Sequence, residues 1–199
     1  MVLYIVRHGE TARNREKVLQ GRSNAPLNAS GISQSEKVRE FLAEEGITID
    51  AVYASPLIRA VQTAEYITGS SDVITDERLL EMDYGPYEGA SLENPAPELI
   101  TFFSDFVHIP APEGMESLAS VTERLGSFLE EISGRHSGNI LISTHAIAMK
   151  GALEYLTPES GGSYWSKYIG NCGVYRSEYR NGKFTVPEEI FALVYEPGV

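Results

Sequence analysis

The sequence predicts an α/β fold: a three-layer α/β/α sandwich in which helices cover both faces of a mostly parallel central sheet. Four short apolar runs rich in β-branched residues have the length of strands, at residues 2–6, 51–54, 73–75 and 140–143. Their near-continuous apolar character is typical of strands buried on both faces, as in a parallel sheet. Segments with helical spacing of apolar residues lie between them, and such alternation is typical of layered α/β folds.

The first two predicted helices follow the first two strands. Segment 28–45 carries its apolar residues on one face, and Gly46 is a suitable stop. Ser55 and Pro56 form a good N-cap and first-turn pair for a helix that runs to about residue 68.

Two further helices flank the fourth strand. One begins near Ser117, and His145 opens another that must end before Pro158. The first of these has six apolar residues at helical spacing, namely Leu118, Val121, Leu125, Phe128, Leu129 and Ile132.

Segment 84–114 interrupts this alternation. It holds five prolines and the aromatic residues Phe102, Phe103 and Phe106. A long insertion in a compact domain is usually a functional lid or disordered, and the aromatic content favours a lid. After it, the pair Asn181-Gly182 between two strand-like runs predicts a hairpin. An edge strand of this tail could pair with a second copy of the chain, which leaves a homo-oligomer open.

Composition indicates one domain over residues 1–199. The chain is 42% hydrophobic and 22% charged, which is sufficient for a sizeable core. Sixteen basic and 28 acidic residues give a net charge of -12. This charge disfavours nucleic acid or an anionic membrane as a partner, whereas a small anionic substrate needs only a few local arginines.

Cysteine usage and hydropathy indicate the compartment. The single cysteine, Cys172, excludes an intrachain disulfide framework, so a reducing cytoplasm is expected. No window is long and apolar enough for a membrane span, and the short apolar run at the start lacks the basic leader of a signal peptide.

Four cationic or ionisable side chains fall at the ends of predicted strands. Arg7 and His8 follow the first strand, Arg59 lies in the first turn after the second, and His145 follows the fourth. Ligands of α/β sheets bind outside the carboxyl ends of the strands, where helix N-termini add partial positive charge. One such residue alone would usually be a solvated surface group. Four together would repel one another without an anion, so they predict a pocket for a phosphoryl group.

The segment Arg7-His8-Gly9-Glu10-Thr11, with Asn14, resembles the signature of the histidine phosphatase superfamily, the phosphoglycerate mutase-like group. Five further blocks resemble that family in the right order, and the resemblance covers nearly the whole chain. These blocks are Gln20-Gly21 with Pro26-Leu27 and Gly31; Ser55-Pro56-Leu57 with Arg59-Ala60 and Gln62-Thr63-Ala64; Leu80-Glu81 with Gly85 and Tyr87-Glu88-Gly89; Glu113-Gly114-Met115-Glu116-Ser117; and Ser143-Thr144-His145.

The resemblance implies the phosphoglycerate mutase-like fold and a nucleophile. His8 would attack phosphorus through a neutral ring nitrogen, with its other ring N–H fixed by a backbone carbonyl. Arg7 and Arg59 would hold the phosphoryl oxygens, because planar guanidinium groups match phosphate geometry. His145 would stabilise charge on those oxygens, and Asn14 would donate one further hydrogen bond.

The resemblance also implies a proton donor. Glu81 would protonate the leaving alcohol and then deprotonate the attacking water. Asp83 is a rival acid close by, and Glu88 could be a structural acid paired with a basic neighbour.

Gln20, Gly21 and Ala146 are expected to complete the phosphate site. Ala146 stands where the family usually has glycine. Tyr87, where many relatives have tryptophan, and Ser23, where an acid is often found, also depart from the pattern, as does the register around Met115. These changes leave the catalytic set intact but leave substrate specificity open.

The function expected from this resemblance is hydrolysis of a small phosphorylated metabolite, without a cofactor. A cofactor-dependent phosphoglycerate mutase is the alternative, although such relatives are usually longer and the Tyr87-Glu88-Gly89 form is closer to the phosphatase branch. A silent phospho-ligand-binding module is a third, which retention of Glu81 disfavours. A metal site is disfavoured because arginines beside His8 and His145 would repel a cation.

Overall fold

The computed structural model describes residues 1–193, and within them seven strands form one sheet. Its strand order is β3-β2-β4-β1-β5-β6, with β7 paired to β5. The four predicted strands are all present, with ends shifted by one residue at most. The strands are β1 (Val2–Arg7), β2 (Ala51–Ala54), β3 (Ile74–Thr75), β4 (Asn139–Thr144), β5 (Val174–Arg180), β6 (Lys183–Phe184) and β7 (Glu188–Phe191).

The sheet is parallel in its predicted part and antiparallel in its tail. Strands β3, β2, β4 and β1 pair in parallel, whereas β5 runs antiparallel to β1 and is itself paired antiparallel with β6 and β7. The predicted hairpin joins β5 to β6. Its turn residues Asn181 and Gly182 have φ of 52° and 79°, as a tight turn of left-handed residues requires. Strand β7 was not predicted.

Six α-helices surround the sheet in the described part of the chain. They are α1 (Ala12–Arg15), α2 (Ala29–Glu44), α3 (Ile58–Thr68), α4 (Pro97–Ser104), α5 (Leu118–Ser133) and α6 (Ala146–Leu156). Short 3-10 helices span Glu77–Leu79, Gly85–Tyr87 and Pro158–Ser160. None of the helices in residues 1–193 is both long and apolar enough to cross a membrane.

The predicted start of α3 was wrong. Ser55 is not its N-cap: the Ser55 N–H donates to the carbonyl of Ser143 at 3.0 Å and so prolongs the pairing of β2 with β4. Helix α3 therefore begins at Ile58, with Leu57 at the cap position and no side-chain cap. The N-caps of α2 and α5 follow the usual rule, since Asn28 and Ser117 accept backbone N–H groups of the first turn.

Two apolar clusters on opposite faces of the sheet confirm the three-layer sandwich. Along β1, Leu3 and Ile5 belong to one cluster and Tyr4 and Val6 to the other, as the alternation of a strand dictates. The first cluster is completed by residues of α4, α5 and α6, and the second by residues of α2 and α3. The ends of the central strands thus lie between two layers of helices.

Segment 84–114 packs on the first of these clusters. Leu99 and Phe102 of α4 are fully buried, and the Phe102 and Phe106 rings lie 4.9 Å apart between centroids. The predicted aromatic cluster is therefore in part a packed helix face. The role of this segment as a lid stays a prediction.

Candidate active site

Two histidines follow neighbouring strands at one edge of the sheet. The register pairs Arg7 of β1 with Thr144 of β4, and the His8 N–H donates to the Thr144 carbonyl at 2.8 Å. His145 follows directly as the N-cap residue of α6. The His8 and His145 rings are consequently 5.1 Å apart between centroids, with an interplanar angle of 61°.

The hydrogen bonds around His8 fix its tautomer. Nδ1 lies 2.7 Å from the Gly9 carbonyl, and since a carbonyl only accepts, Nδ1 carries the proton. The loop is held by two further bonds, from Gly9 N–H to Thr63 Oγ1 at 3.0 Å and from Asn171 Nδ2 to the His8 carbonyl at 2.9 Å. Burial, with the charges of Arg59 and Arg7, lowers the pKa of His8 well below its ordinary value. The ring is therefore neutral at neutral pH, with a lone pair on Nε2.

His145 adopts the opposite tautomer. Arg59 Nε donates to His145 Nδ1 at 3.2 Å, so the ring proton is on Nε2. Burial, followed by the charge of Arg59, lowers the pKa of His145 well below its ordinary value. The two rings thus present a lone pair and an N–H donor, both without charge.

Arg59 is anchored by the loop after α1. Its Nη1 and Nη2 donate to the carbonyls of Ser23 and Gly21 at 2.7 and 2.8 Å. Burial lowers its pKa to about 10, so the guanidinium remains charged at neutral pH. Each of these two nitrogens retains a second N–H.

The loop is in turn held by Glu88. This carboxylate accepts the backbone N–H groups of Gly21 and Arg22 at 2.9 and 3.2 Å and pairs with Arg13 at 3.6 Å. Glu88 is therefore paired with a basic neighbour, as expected for an acid with a structural role. Because the Gly21 N–H donates to this carboxylate, it is not available to a phosphoryl oxygen.

Several buried side-chain polar atoms have no hydrogen-bond partner in residues 1–193, and three of them are nitrogens of residues that the motifs assigned to the phosphate site: Arg7 Nε, Gln20 Nε2 and His145 Nε2. Their residues hold other bonds that orient them. Arg7 Nη1 donates to the Ile169 carbonyl at 2.6 Å, and Gln20 Oε1 accepts from Thr11 Oγ1 at 2.8 Å. A buried donor without an acceptor costs roughly 1–3 kcal/mol. Three together indicate a site built for an incoming anion.

Asn14 and Ala146 offer further donors. The Asn14 side-chain oxygen accepts the Thr11 N–H at 3.1 Å within the cap of α1, which leaves the amide NH₂ as its donor end. Ala146 is the first residue of α6, and its N–H is among those for which a helix has no internal acceptor. Asn171 Nδ2, which donates to the His8 carbonyl, lies 3.5 Å from the Asn14 side-chain oxygen, and Ala146 directly follows His145. The role of Asn14 and Ala146 in binding phosphate stays a prediction.

Glu81 lies at the start of α6. The carboxylate is 3% exposed by residue and accepts the N–H groups of Ile147 at 3.2 Å, Ala148 at 2.9 Å and Met82 at 2.9 Å. Burial lowers the pKa of Arg7, and the negative charge of Glu81 opposes that effect. Asp83, the rival acid, is exposed and accepts the Gly85 N–H at 2.8 Å. The Asp83 carboxylate belongs to a turn.

Sequence reasoning missed several residues that shape the site. Thr63 stands within a recognised motif and could have been singled out as a buried polar residue of an amphipathic helix. Glu116 also stands within a recognised motif, but its partner Arg124 and the residue Asn171 carried no local signal. Cys172 is buried, and burial raises its pKa to about 12, so its thiol is protonated at neutral pH. In residues 1–193 no cluster of three or more His, Cys, Asp or Glu side chains could hold a metal ion.

The sequence of this chain is similar to a known family and to several characterised proteins. A family model of the histidine phosphatase superfamily (branch 1) matches residues 3–189. The chain is 30% identical over 188 residues to phosphoserine phosphatase 1 of Hydrogenobacter thermophilus, covering 90% of this chain and 88% of the relative. It is 33% identical over 166 residues to phosphoglycerate mutase-like protein 4 of Arabidopsis thaliana, covering 79% and 72%.

A solved structure is similar over almost the same span. It is a mutant phosphoserine phosphatase from Entamoeba histolytica in complex with phosphoserine, with a TM-score of 0.80, 26% sequence identity, and coverage of 93% of this chain and 94% of that one.

Proposed function

The chain belongs to the histidine phosphatase superfamily, and on this basis we propose that it hydrolyses a small-molecule phosphomonoester through a phosphohistidine intermediate on His8. The observation that carries the proposal is the pairing of opposite neutral tautomers beside three unpartnered buried donors. A nucleophilic lone pair and a set of donors for anionic oxygens are the two parts that phosphoryl transfer to histidine requires.

In the first step, His8 Nε2 attacks phosphorus and the bond from phosphorus to the alcohol oxygen breaks. The leaving oxygen takes a proton from the Glu81 carboxyl group. In the second step, water attacks the phosphohistidine and gives a proton to Glu81. The bond between nitrogen and phosphorus breaks, phosphate is released, and neutral His8 is restored.

The phosphoryl oxygens are held by donors from several elements. Arg7 and Arg59 supply charged N–H groups, and His145 supplies Nε2–H. Neutral donors come from the side chains of Asn14 and Gln20 and from the Ala146 backbone. Gly21 contributes through its carbonyl, which positions Arg59.

A phosphoglycerate mutase is the second candidate, because a relative at 33% identity is named a phosphoglycerate mutase-like protein. A mutase uses the same donors but returns the phosphoryl group to the substrate instead of to water. We also propose a cytoplasmic location, which is supported by the presence of a single cysteine.

The test is phosphate release from a panel of phosphomonoesters, with 3-phosphoglycerate and a bisphosphate primer included. We expect release from at least one compound class and loss of turnover by more than about 1000-fold in His8→Ala. The matched control is His108→Ala, since His108 is 80% exposed and bonded to Asp105, outside the site. Full activity of His8→Ala would refute the mechanism, and isomerisation without release would establish the mutase.

A further inference from the structure

Gln34 of α2 accepts a hydrogen bond from the backbone next to the nucleophile. Its Oε1 atom accepts the Glu10 N–H at 2.8 Å. This N–H belongs to the Gly9–Glu10 peptide, whose carbonyl accepts the proton of His8 Nδ1 at 2.7 Å. A peptide is planar, so its N–H and C=O point in opposite directions from one rigid unit. Gln34 and the His8 ring therefore hold the two edges of the same peptide.

The peptide before it, His8–Gly9, is anchored at both edges by side chains of other segments. Its carbonyl accepts from Asn171 Nδ2 at 2.9 Å, and its N–H donates to Thr63 Oγ1 at 3.0 Å. Neither bond involves the imidazole ring of His8. These two bonds hold the Cα atoms of the peptide, but they do not decide which way the Gly9 carbonyl points.

The peptide after it, Glu10–Thr11, is anchored in the same manner. Its carbonyl accepts the Asn28 N–H at 3.0 Å, and its N–H donates to Asn14 Oδ1 at 3.1 Å. Because the flanking peptides hold both of its Cα atoms, the middle peptide can turn only about the line that joins them. Within residues 1–193, Gln34 is the one group outside the imidazole ring that is bonded to this peptide and opposes the rotation.

The first turn of α2 brings Gln34 to this position. Gly31 lies so close to the nucleophile loop that a Cβ atom added to it would overlap the Glu10 carbonyl oxygen. A Cβ atom added to Gly9 would likewise lie 2.5 Å from the Gly31 carbonyl oxygen. The loop and the helix thus touch through backbone atoms. Gln34 follows Gly31 by three positions and so lies on the same side of the helix.

We propose that Gln34 is a positioning residue: through the peptide that it bonds, it keeps the proton of His8 on Nδ1 and the lone pair on Nε2. This inference rests on the proposed phosphatase function and adds a residue to its machinery. Hydrogen bonds in a chain polarise one another. The bond from the Glu10 N–H to Gln34 therefore also makes the Gly9 carbonyl a stronger acceptor.

The same chain of bonds stabilises charge that develops during the reaction. The lone pair of His8 Nε2 forms the bond to phosphorus, the bond from phosphorus to the alcohol oxygen breaks, and the ring becomes positive with its proton retained on Nδ1. A cationic ring donates a stronger hydrogen bond than a neutral one. The Gly9 carbonyl is already oriented and polarised to accept it. Gln34 thus contributes to phosphoryl transfer to His8 rather than to the binding of phosphate oxygens.

The experiment replaces Gln34 by methionine, which is equally long and unbranched but has no amide oxygen. In protein made with isotope-labelled histidine, nitrogen NMR measures the two neutral tautomers of His8, whose signals are assigned by comparison with His8→Ala. We expect Gln34→Met to raise the ratio of the Nε2–H form to the Nδ1–H form about fivefold, the equivalent of one hydrogen bond.

The kinetic effect should have a distinct signature. Gln34→Met should lower kcat/KM about five- to tenfold for an alkyl phosphate and for 4-nitrophenyl phosphate alike, because both reactions need the lone pair of His8. The inhibition constant of inorganic phosphate should stay within about twofold, because the donors that bind phosphoryl oxygens are unchanged.

Two further variants separate positioning from general damage. Gln34→Glu keeps an acceptor oxygen on a side chain of the same length and should retain the wild-type tautomer. Gln62→Met is the matched control, because Gln62 Oε1 on α3 also accepts a backbone N–H, that of Leu27 at 2.9 Å. It should lose comparable stability and leave the tautomer of His8 unchanged.

An unchanged tautomer ratio or an unchanged kcat/KM in Gln34→Met would overturn the proposal while the phosphatase function stood. A shift as large in Gln62→Met or in Gln34→Glu would overturn it as well. The NMR measurement needs no substrate. A tautomer shift confined to Gln34→Met, with no turnover of any ester by the wild type, would support the effect of Gln34 on His8 while refuting the phosphatase.

Discussion

Replacing Arg124 by methionine should both destabilise the protein and slow its chemistry, because this side chain of α5 holds the backbone that precedes Glu81. Arg124 Nη1 donates to the carbonyls of Arg78 and Leu80 at 2.7 and 2.6 Å. Its Nε and Nη2 donate to Glu116 at 2.8 and 3.1 Å. Glu116 in turn accepts the Asp83 N–H at 3.1 Å, so the backbone is fixed on both sides of Glu81.

The expected loss of unfolding free energy follows from the burial of Arg124 and Glu116. The Arg124 and Glu116 side chains are 16% and 11% exposed. Burial alone would raise the pKa of Glu116, but the hydrogen bonds and charge of Arg124 outweigh it and hold that pKa below its ordinary value. Arg124→Met removes the closest cation from a largely buried carboxylate and takes a donor away from the carbonyls of Arg78 and Leu80. Glu116 keeps the Asp83 N–H, the Ser120 hydroxyl at 3.0 Å and Arg22 Nη2 at 3.4 Å. Breaking a buried pair costs about 3–5 kcal/mol, and we expect about 3 kcal/mol because the pair is not fully buried.

The assay is urea unfolding followed by circular dichroism, together with kcat for an alkyl phosphate. The control is Arg135→Met, since Arg135 is 62% exposed and pairs with Glu131 on the surface. That variant should lose less than about 0.5 kcal/mol and retain its kcat. We expect kcat of Arg124→Met to fall about tenfold, because Glu81 loses its fixed position. A loss of stability below about 1 kcal/mol with an unchanged kcat would refute this account of Arg124.

Four further predictions concern protons and reactivity. Glu81→Gln should lower kcat by about 100-fold or more for alkyl phosphates and far less for 4-nitrophenyl phosphate, whose leaving group needs no proton; equal losses would contradict the assigned role. Nitrogen NMR should show neutral His8 protonated on Nδ1 and neutral His145 on Nε2 at pH 6.5, and any other tautomers would contradict the geometry. Since folding lowers both histidine pKa values, the unfolded chain binds more protons below pH 6.5, so the free energy of unfolding should fall as the pH decreases from 6.5 to about 5; an increase over that window would count against it. Cys172 should resist a thiol reagent at pH 8 until the protein is denatured, and fast labelling of the folded chain would show that the thiol is accessible.

The sequence by itself determined the layers of the fold and the general place of the site. Apolar runs and helical spacing are local patterns, and they were sufficient for β1, β2, β4 and α5. His8 and His145 each follow a strand directly, so the parallel arrangement of those strands was enough to bring them to one edge of the sheet. The resemblance to a family then supplied expected roles that no local pattern contains.

Only the tertiary structure determines which ring nitrogens of the two histidines are protonated and which distant residues form hydrogen bonds with each other. Arg59 and His145 are separated by 86 positions and Glu81 and Ala148 by 67, yet these bonds define the tautomer of one histidine and the location of the carboxylate. The start of α3 was likewise decided by a bond from Ser55 to β4, which a local capping rule does not include. Hydrogen bonds and ion pairs between distant segments are set by packing, and for this reason they cannot be read from the spacing of residues along the chain.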